Sequence, residues 1–121
     1  MEEPTPACDI WALGCTIIEL MTGTPPYYDM PQMTALFHIA ECEDLPPFPE
    51  NISSELQSFL TSCFERDPTK RPTAAELHQH SWVVNARTKR AQSMKIIKKN
   101  SFSNGRKKIV RINSEMDQTA Q

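Results

Sequence analysis

The side chains in this 121-residue chain that most readily bind metals are its histidines and cysteines. His78 and His80 lie two residues apart with no third metal-ligating residue in range, so we expect polar residues at a helix end rather than a zinc site. The four cysteines form no Cys-x-x-Cys pair, which argues against both a zinc site and a small disulfide framework. We expect free thiols, most of them in the core. The cysteines are Cys8, Cys15, Cys42 and Cys63.

Three serines near the end of the chain follow a basic residue by two or three positions, a pattern that basophilic kinases recognise through acidic pockets. A phosphate at such a site adds about −1.5 to −2 charges. Because the pattern also arises by chance in a basic segment, the same cluster is consistent with a nuclear-import patch or with a surface that binds anionic lipid or RNA. The pairs are Arg90 with Ser93, Lys98 with Ser101, and Arg111 with Ser114.

The charge distribution divides the chain into two parts. Residues 1–85 hold 13 acidic and 3 basic side chains, whereas residues 86–121 hold 10 basic and 2 acidic ones, for a total charge of −2. The second part has too little apolar surface to offset the entropy cost of ordering. It is therefore predicted to be a basic, mostly disordered tail, with at most a weak helix over roughly 86–98 and a short strand around 108–112.

Residues 1–85 are predicted to form a mainly α-helical unit. The segment 9–22 is apolar nearly all round, which indicates a buried helix, with Asp9 as its N-cap and Gly23 at its end. An apolar stripe predicts a second helix over 31–40, and a third spans about 54–65. A capping box at Thr73 opens a short fourth helix, and Trp82 is expected to pack back onto the bundle.

No stretch reaches the roughly 18 to 20 apolar residues of a membrane span, and the N-terminus lacks the features of a secretory signal. We therefore expect a cytoplasmic protein without a transmembrane segment.

Three motifs follow one another in a characteristic order: Asp9-Ile-Trp-Ala-Leu-Gly14, then Pro25-Pro-Tyr27, then Asp67-Pro-Thr-Lys-Arg-Pro-Thr73. Over residues 7–85 this arrangement resembles the C-terminal part of the large lobe of a eukaryotic protein kinase domain. The amino-acid sequences of the helices are similar to those of STE-type MAP kinase kinase kinases, in particular the epsilon type of plants and the septation-initiation kinases of fungi. One departure is Ser81, where the family usually has proline.

The resemblance implies structural roles for six residues. Asp9, with Trp11 and Gly14, belongs to a motif whose aspartate accepts hydrogen bonds from the backbone of the catalytic loop; a plain N-cap is the alternative. Thr16 and Leu20 match positions that support the apolar column beneath the adenine, or are ordinary core residues. Arg71 resembles the arginine that pairs with the glutamate of the family's Ala-Pro-Glu motif; a surface arginine is the alternative.

The family transfers the γ-phosphate of ATP, with Mg²⁺, to protein serine or threonine. That reaction needs a glycine-rich loop, a strand lysine, a catalytic-loop aspartate and the Asp-Phe-Gly aspartate. The sequence contains none of these motifs, so we assign it no catalytic, cofactor-binding or metal-binding residue. We expect the isolated chain to be marginally stable and unable to bind ATP.

Two hypotheses follow. The first is a C-terminal fragment of a serine/threonine kinase of the MAP kinase kinase kinase type, whose lobe meets a protein substrate or a cascade partner. The second is a noncatalytic helical docking module whose basic tail binds a protein, an anionic membrane or a nucleic acid.

Overall fold

A computed structural model describes residues 3–119, with side chains described through Asn104. The chain divides into two compact units, Met1–Val84 and Asn85–Gln121. The fold is mainly α-helical, as predicted, and residues 3–119 contain no β-strand. No helix within the described part is long and apolar enough to span a membrane. The helices are α1 (Pro6–Thr22), α2 (Gln32–Ala40), α3 (Ser54–Cys63), α4 (Ala74–His78) and α5 (Ser81–Thr119).

Helix α1 begins three residues earlier than predicted. Thr5 is its N-cap residue and Pro6 occupies the first turn, where a missing backbone N–H costs nothing because that donor has no partner within the helix. The prediction of Asp9 as N-cap is therefore wrong, although its carboxylate still lies in the first turn, near the positive end of the helix dipole. Gly23 ends the helix in the left-handed conformation, at φ 84°, as predicted.

The core of the first unit forms where α1 packs on α3. Ile10 and Ile18 of α1 meet Leu56, Phe59 and Leu60 of α3, all of them buried. Trp82, in the first turn of α5, packs against both parts of this core, which confirms the prediction for that residue. The sequence predicted α1 to be buried nearly all round, whereas the described residues bury only one of its faces.

Side-chain caps fix the ends of the two short helices. Ser53 caps α3 by accepting a hydrogen bond from the backbone N–H of Leu56 at 3.2 Å. The capping box of Thr73 and Glu76 forms as predicted at the start of α4. Such caps are typically worth about 1 kcal/mol each.

Helix α5 continues through the segment that the composition predicted to be mostly disordered. The weak helix expected over 86–98 lies within it, and the strand expected around 108–112 is wrong because the backbone there is helical. A strand needs a pairing neighbour, and residues 3–119 supply none. Every side chain from Val84 to Asn104 is exposed, so this part of the helix contributes no buried residue to a core.

Candidate functional site

Two guanidinium groups lie over the indole ring of Trp11. The Cζ atom of Arg66 is 5.0 Å from the ring centroid, and that of Arg71 is 5.3 Å away. The ring of Phe64 meets the indole edge-on, with 4.9 Å between centroids. Each cation–π contact contributes roughly 0.5 to 2 kcal/mol, depending on how far it is shielded from water. We call this group, with Gly14, the Trp11 cluster.

Gly14 is required by the approach of α3. A Cβ atom at this position would lie 2.7 Å from Cζ of Phe64, 2.9 Å from Cε1 and 3.0 Å from Cβ of Cys63. Because the Phe64 side chain is fully buried, it has little room to move away. The glycine of the first motif thus allows a close contact between α1 and the residues at the end of α3.

Arg71 ties the start of α1 to the backbone that follows α3. Its Nη1 atom donates to the carbonyl oxygen of Ala7 at 2.7 Å, and Nε donates to that of Glu65 at 2.8 Å. Nη2 reaches the carbonyl of Arg66 at a longer 3.4 Å. The side chain is partly buried, so the simple surface-arginine alternative does not describe it. Its pairing with a glutamate stays a prediction, since these hydrogen bonds all go to carbonyl groups.

Arg66 holds the end of α2 against the Trp11 cluster, a role that sequence reasoning missed. Its guanidinium donates to the carbonyl oxygens of His38 at 3.1 Å, of Asp44 at 2.7 Å and of Ile39. Two of these carbonyls belong to the last turn of α2, where a positive charge is favourable. Its Nε atom is buried and has no hydrogen-bond partner among the described residues.

Burial beside the Trp11 cluster controls the chemistry of Cys63. Loss of solvent raises the pKa of this thiol from 9.0 to about 11, and the nearby positive charge of Arg71 only partly opposes the shift. The thiol is therefore neutral and unreactive near pH 7. The expectation that most cysteines are core residues is wrong, because only Cys63 is buried, Cys15 and Cys42 are half-buried, and Cys8 is exposed. All four are free thiols, as predicted.

The turn that leads to Arg71 is fixed by Asp67. The backbone N–H and the hydroxyl of Thr69 donate to Oδ1 of Asp67 at 2.9 and 2.6 Å. The hydrogen bond from the Thr69 hydroxyl, followed by the one from its backbone N–H, lowers the pKa of the Asp67 carboxyl from 3.8. The Asp-Pro-Thr-Lys-Arg motif therefore forms a tight local turn that delivers Arg71 to the cluster.

His80 is engaged at both ring nitrogens, as expected of a polar residue at a helix end. Nδ1 accepts from the backbone N–H of Trp82 at 3.1 Å, and Nε2 lies 3.2 Å from the hydroxyl of Ser58. These contacts use the atoms that a metal would need.

The opposite face of α1 is exposed and carries the other family-matched residues. Asp9, Leu13, Thr16 and Leu20 recur at helical spacing along this face, together with Ala12, and all five are exposed. Leu13 exposes 40% and Leu20 81% of their surface. The structure thus separates the sequence-predicted residues into two sets: Trp11, Gly14 and Arg71 meet in the cluster, whereas Asp9, Thr16 and Leu20 share a free surface. We call that surface the exposed α1 face.

A cleft of about 360 Å³ opens where the end of α1 meets the Pro-Pro-Tyr loop. Prolines and aromatic rings dominate its lining, including Pro25, Tyr27 and Phe48, and Asp29 is its one charged side chain. Tyr27 adopts an unusual φ of 64° and stacks on His38 with 5.6 Å between ring centroids. Burial raises the pKa of the Tyr27 phenol, so it stays protonated near pH 7.

The family implies ATP and Mg²⁺, and the described residues do not fit either. The cleft offers no lysine or arginine for phosphate, and residues 3–104 hold no group of three side chains able to bind a metal ion.

Gly14 and Trp11 of the first motif and Arg71 of the third motif thus meet in one cluster, which joins the start of α1 to the turn after α3. The chain belongs to the protein kinase domain family, which matches residues 2–83. The stretch corresponds to the C-terminal part of that domain, as the motifs predicted.

Three curated relatives show which kinases it is similar to. Cytokinesis protein sepH of Aspergillus terreus is 52% identical over 83 residues, covering 69% of this chain and 6% of that protein. MAP3K epsilon protein kinase 1 of Arabidopsis thaliana is 48% identical over 81 residues, 67% of this chain and 6% of the relative. Cell division control protein 7 of Schizosaccharomyces pombe is 49% identical over 84 residues, 69% of this chain and 8% of the relative. The chain thus spans less than a tenth of the length of each relative.

Sequence reasoning missed two members of the Trp11 cluster. The contact of Phe64 with Gly14 joins residues fifty positions apart, and no local sequence pattern indicates such a contact. Arg66 belongs to none of the three motifs, and the carbonyl groups that it binds lie in α2 and in the segment after it.

Proposed function

We propose that this chain is the C-terminal segment of a serine/threonine protein kinase of the MAP kinase kinase kinase type. In the complete kinase, the preceding part of the domain covers the exposed α1 face. That larger protein transfers the γ-phosphate of ATP to serine or threonine of a protein substrate, whereas this chain supplies structural support and no catalytic group. Cytoplasmic location stays a prediction from the sequence.

The observation that carries the proposal is the exposed α1 face. Its apolar members, Leu13 and Leu20, are exposed, and each large apolar side chain left in water forfeits roughly 1.5 to 3 kcal/mol. Asp9 and Thr16 lie on the same face. Asp9 matches the family's contact to the catalytic loop, and Thr16 and Leu20 match its support of the apolar column. One further part of the domain would therefore cover all three residues. A surface of this composition favours a partner that is itself apolar with backbone donors near Asp9.

The similarity to MAP3K epsilon protein kinase 1 and to sepH supports the finer assignment to this type of kinase. Each of these relatives matches about two thirds of the chain, at about half identity.

A chimera tests the proposal directly. The kinase domain of the Arabidopsis relative is expressed with its matching stretch replaced by residues 2–83 of this chain, and phosphorylation of a generic protein substrate is measured. We expect activity within about tenfold of the unaltered domain, because a change of 1.4 kcal/mol in the barrier gives that factor. The matched control carries the corresponding stretch of sepH. An inactive chimera beside an active sepH control would contradict the proposal.

A second candidate function is a noncatalytic docking module, favoured by two observations. Met33, Leu36 and Phe37 of α2 are exposed, and residues 86–104 hold six basic and no acidic side chains, all exposed. Such a tail suits a protein, an anionic membrane or a nucleic acid. Binding of the whole chain to RNA or to anionic vesicles that falls steeply with added salt would support this function, and binding to neither would remove those two partners.

A further inference from the structure

We propose that α5 carries a phosphorylation site at Ser93, with Ser101 as a second site of the same kind, both modified by a protein kinase that recognises a cation three residues before the acceptor. Of the four serines after residue 85, three follow a lysine or arginine by three positions. None of the five serines before residue 85 does so. The fourth serine of the tail, Ser103, follows Asn100 instead.

Both proposed acceptors and their basic partners are accessible. Ser93, Arg90, Ser101 and Lys98 are all exposed on α5. Ser114 has the same spacing after Arg111, but its side chain lies outside those that the structure describes.

Recognition requires the segment to leave its helical form briefly. Residues three apart lie only about 5 to 6 Å apart on a helix, whereas an extended chain separates them by about 10 Å. A kinase that holds Arg90 in an acidic pocket and presents the Ser93 hydroxyl to ATP therefore needs the extended form.

Opening α5 is far easier than opening a packed helix. No side chain from Val84 to Asn104 is buried, so local unfolding exchanges helix hydrogen bonds for water without exposing a core. Ser58 and Ser62 lie on α3 instead, and unfolding that helix would expose Phe59 and Leu60. The structure thus places the basic recognition pattern on a helix whose local opening exposes no buried side chain.

The modification uses ATP bound to the modifying kinase. The Oγ atom of Ser93 bonds to the γ-phosphorus while the bond from that phosphorus to the bridging oxygen of ADP breaks, and ADP leaves with the electron pair. The hydroxyl proton passes to a carboxylate of the modifying kinase. Each phosphate adds about −1.5 to −2 charges, so two sites remove roughly half or more of the charge of +6 on residues 86–104.

The test uses the whole 121-residue protein, an arginine-directed serine/threonine kinase and radiolabelled ATP, with sites mapped by mass spectrometry. We expect phosphate on Ser93 and Ser101, and about tenfold less on Ser103, which is exposed on the same helix but lacks the cation. Two crossed variants sharpen the result. Arg90→Gln should lower modification of Ser93 about tenfold and leave Ser101 unchanged, whereas Lys98→Gln should do the reverse.

Equal modification of Ser103, or no response of Ser93 to Arg90→Gln, would overturn the proposal. So would phosphate on Ser93 in a peptide of residues 86–97 but not in the whole protein, because α5 would then hold the segment closed.

Discussion

Phe64 lies so close to Gly14 that no side chain fits between them. The gap of 2.7 Å between ring carbon Cζ and the position of a Cβ at residue 14 is shorter than ordinary contacts between carbon atoms. This contact joins the first motif of the sequence to the end of α3, and the ring that makes it also packs edge-on against Trp11. In the first motif, glycine therefore leaves space for the Phe64 ring, and tryptophan packs against that same ring.

Gly14→Ala should destabilise the fold by about 1 to 3 kcal/mol, the usual cost of overpacking a buried site. Thermal unfolding of the chimeric kinase domain measures the loss. Phe64→Leu should be less harmful in the Gly14→Ala background than alone, since the shorter side chain makes room for the new methyl group. Equal effects of Phe64→Leu in both backgrounds would show that the two residues are not coupled.

Arg71→Met should destabilise the same chimera by about 1.5 to 3 kcal/mol or more, because hydrogen bonds from a charged group to Ala7 and Glu65 are lost. Arg71→Lys should recover only part, as a single ammonium cannot reach the separate carbonyls. The matched control is Lys70→Met, which removes an exposed ion pair of 3.8 Å and should cost less than about 1 kcal/mol. Equal losses at positions 70 and 71 would contradict the role given to Arg71.

Thr73→Ala should destabilise the chimera by about 1 kcal/mol through loss of the cap on α4. The Thr73 hydroxyl accepts from the backbone N–H of Glu76 at 3.2 Å, and that donor has no partner within the helix. Thr61→Ala on exposed α3 surface is the control, and it should change stability by less than about 0.5 kcal/mol. A silent Thr73→Ala would show that the capping box adds no stability here.

Cys63 should resist alkylation in the folded chimera, whereas Cys8 should react readily because it is exposed. The folded pKa of Cys63 is raised to about 11 from 9.0, so the stability linked to the neutral thiol is fully present below pH 9 and is lost as the pH rises through about 11. Iodoacetamide labelling with peptide mapping at pH 7 and in denaturant gives the comparison. Labelling of Cys63 at the rate of Cys8 under native conditions would mean that the core is open.

Leu20→Lys should have opposite consequences in two contexts. In the isolated 121-residue chain it should reduce self-association and alter stability by less than about 0.5 kcal/mol, since Leu20 is 81% exposed. In the chimera it should abolish activity, because a lysine would be buried against the rest of the domain. Leu36→Lys on α2 is the control and should leave the chimera active. A fully active Leu20→Lys chimera would argue against a covered α1 face.

Helices α2 and α4 were predicted closely because their signals are local. A stripe of apolar residues defines α2, and the Thr73–Glu76 box is a contact between residues three apart that forms as soon as the helix does. The start of α1 was misplaced because Asp9 and Thr5 are both good capping residues, and Pro6 selects the earlier one.

The sequence by itself determined the helical class of the first unit, its family motifs and the separation of an acidic unit from a basic tail, since each depends on residue types and on spacings along the chain. Only the tertiary structure decided that Phe64 and Arg66 complete the Trp11 cluster, and that Asp9, Thr16 and Leu20 share a free face. The sequence of an almost wholly apolar helix does not indicate which side is buried, because apolar residues lie on both sides. The packing of α3 on one side settles that question and leaves the other side exposed.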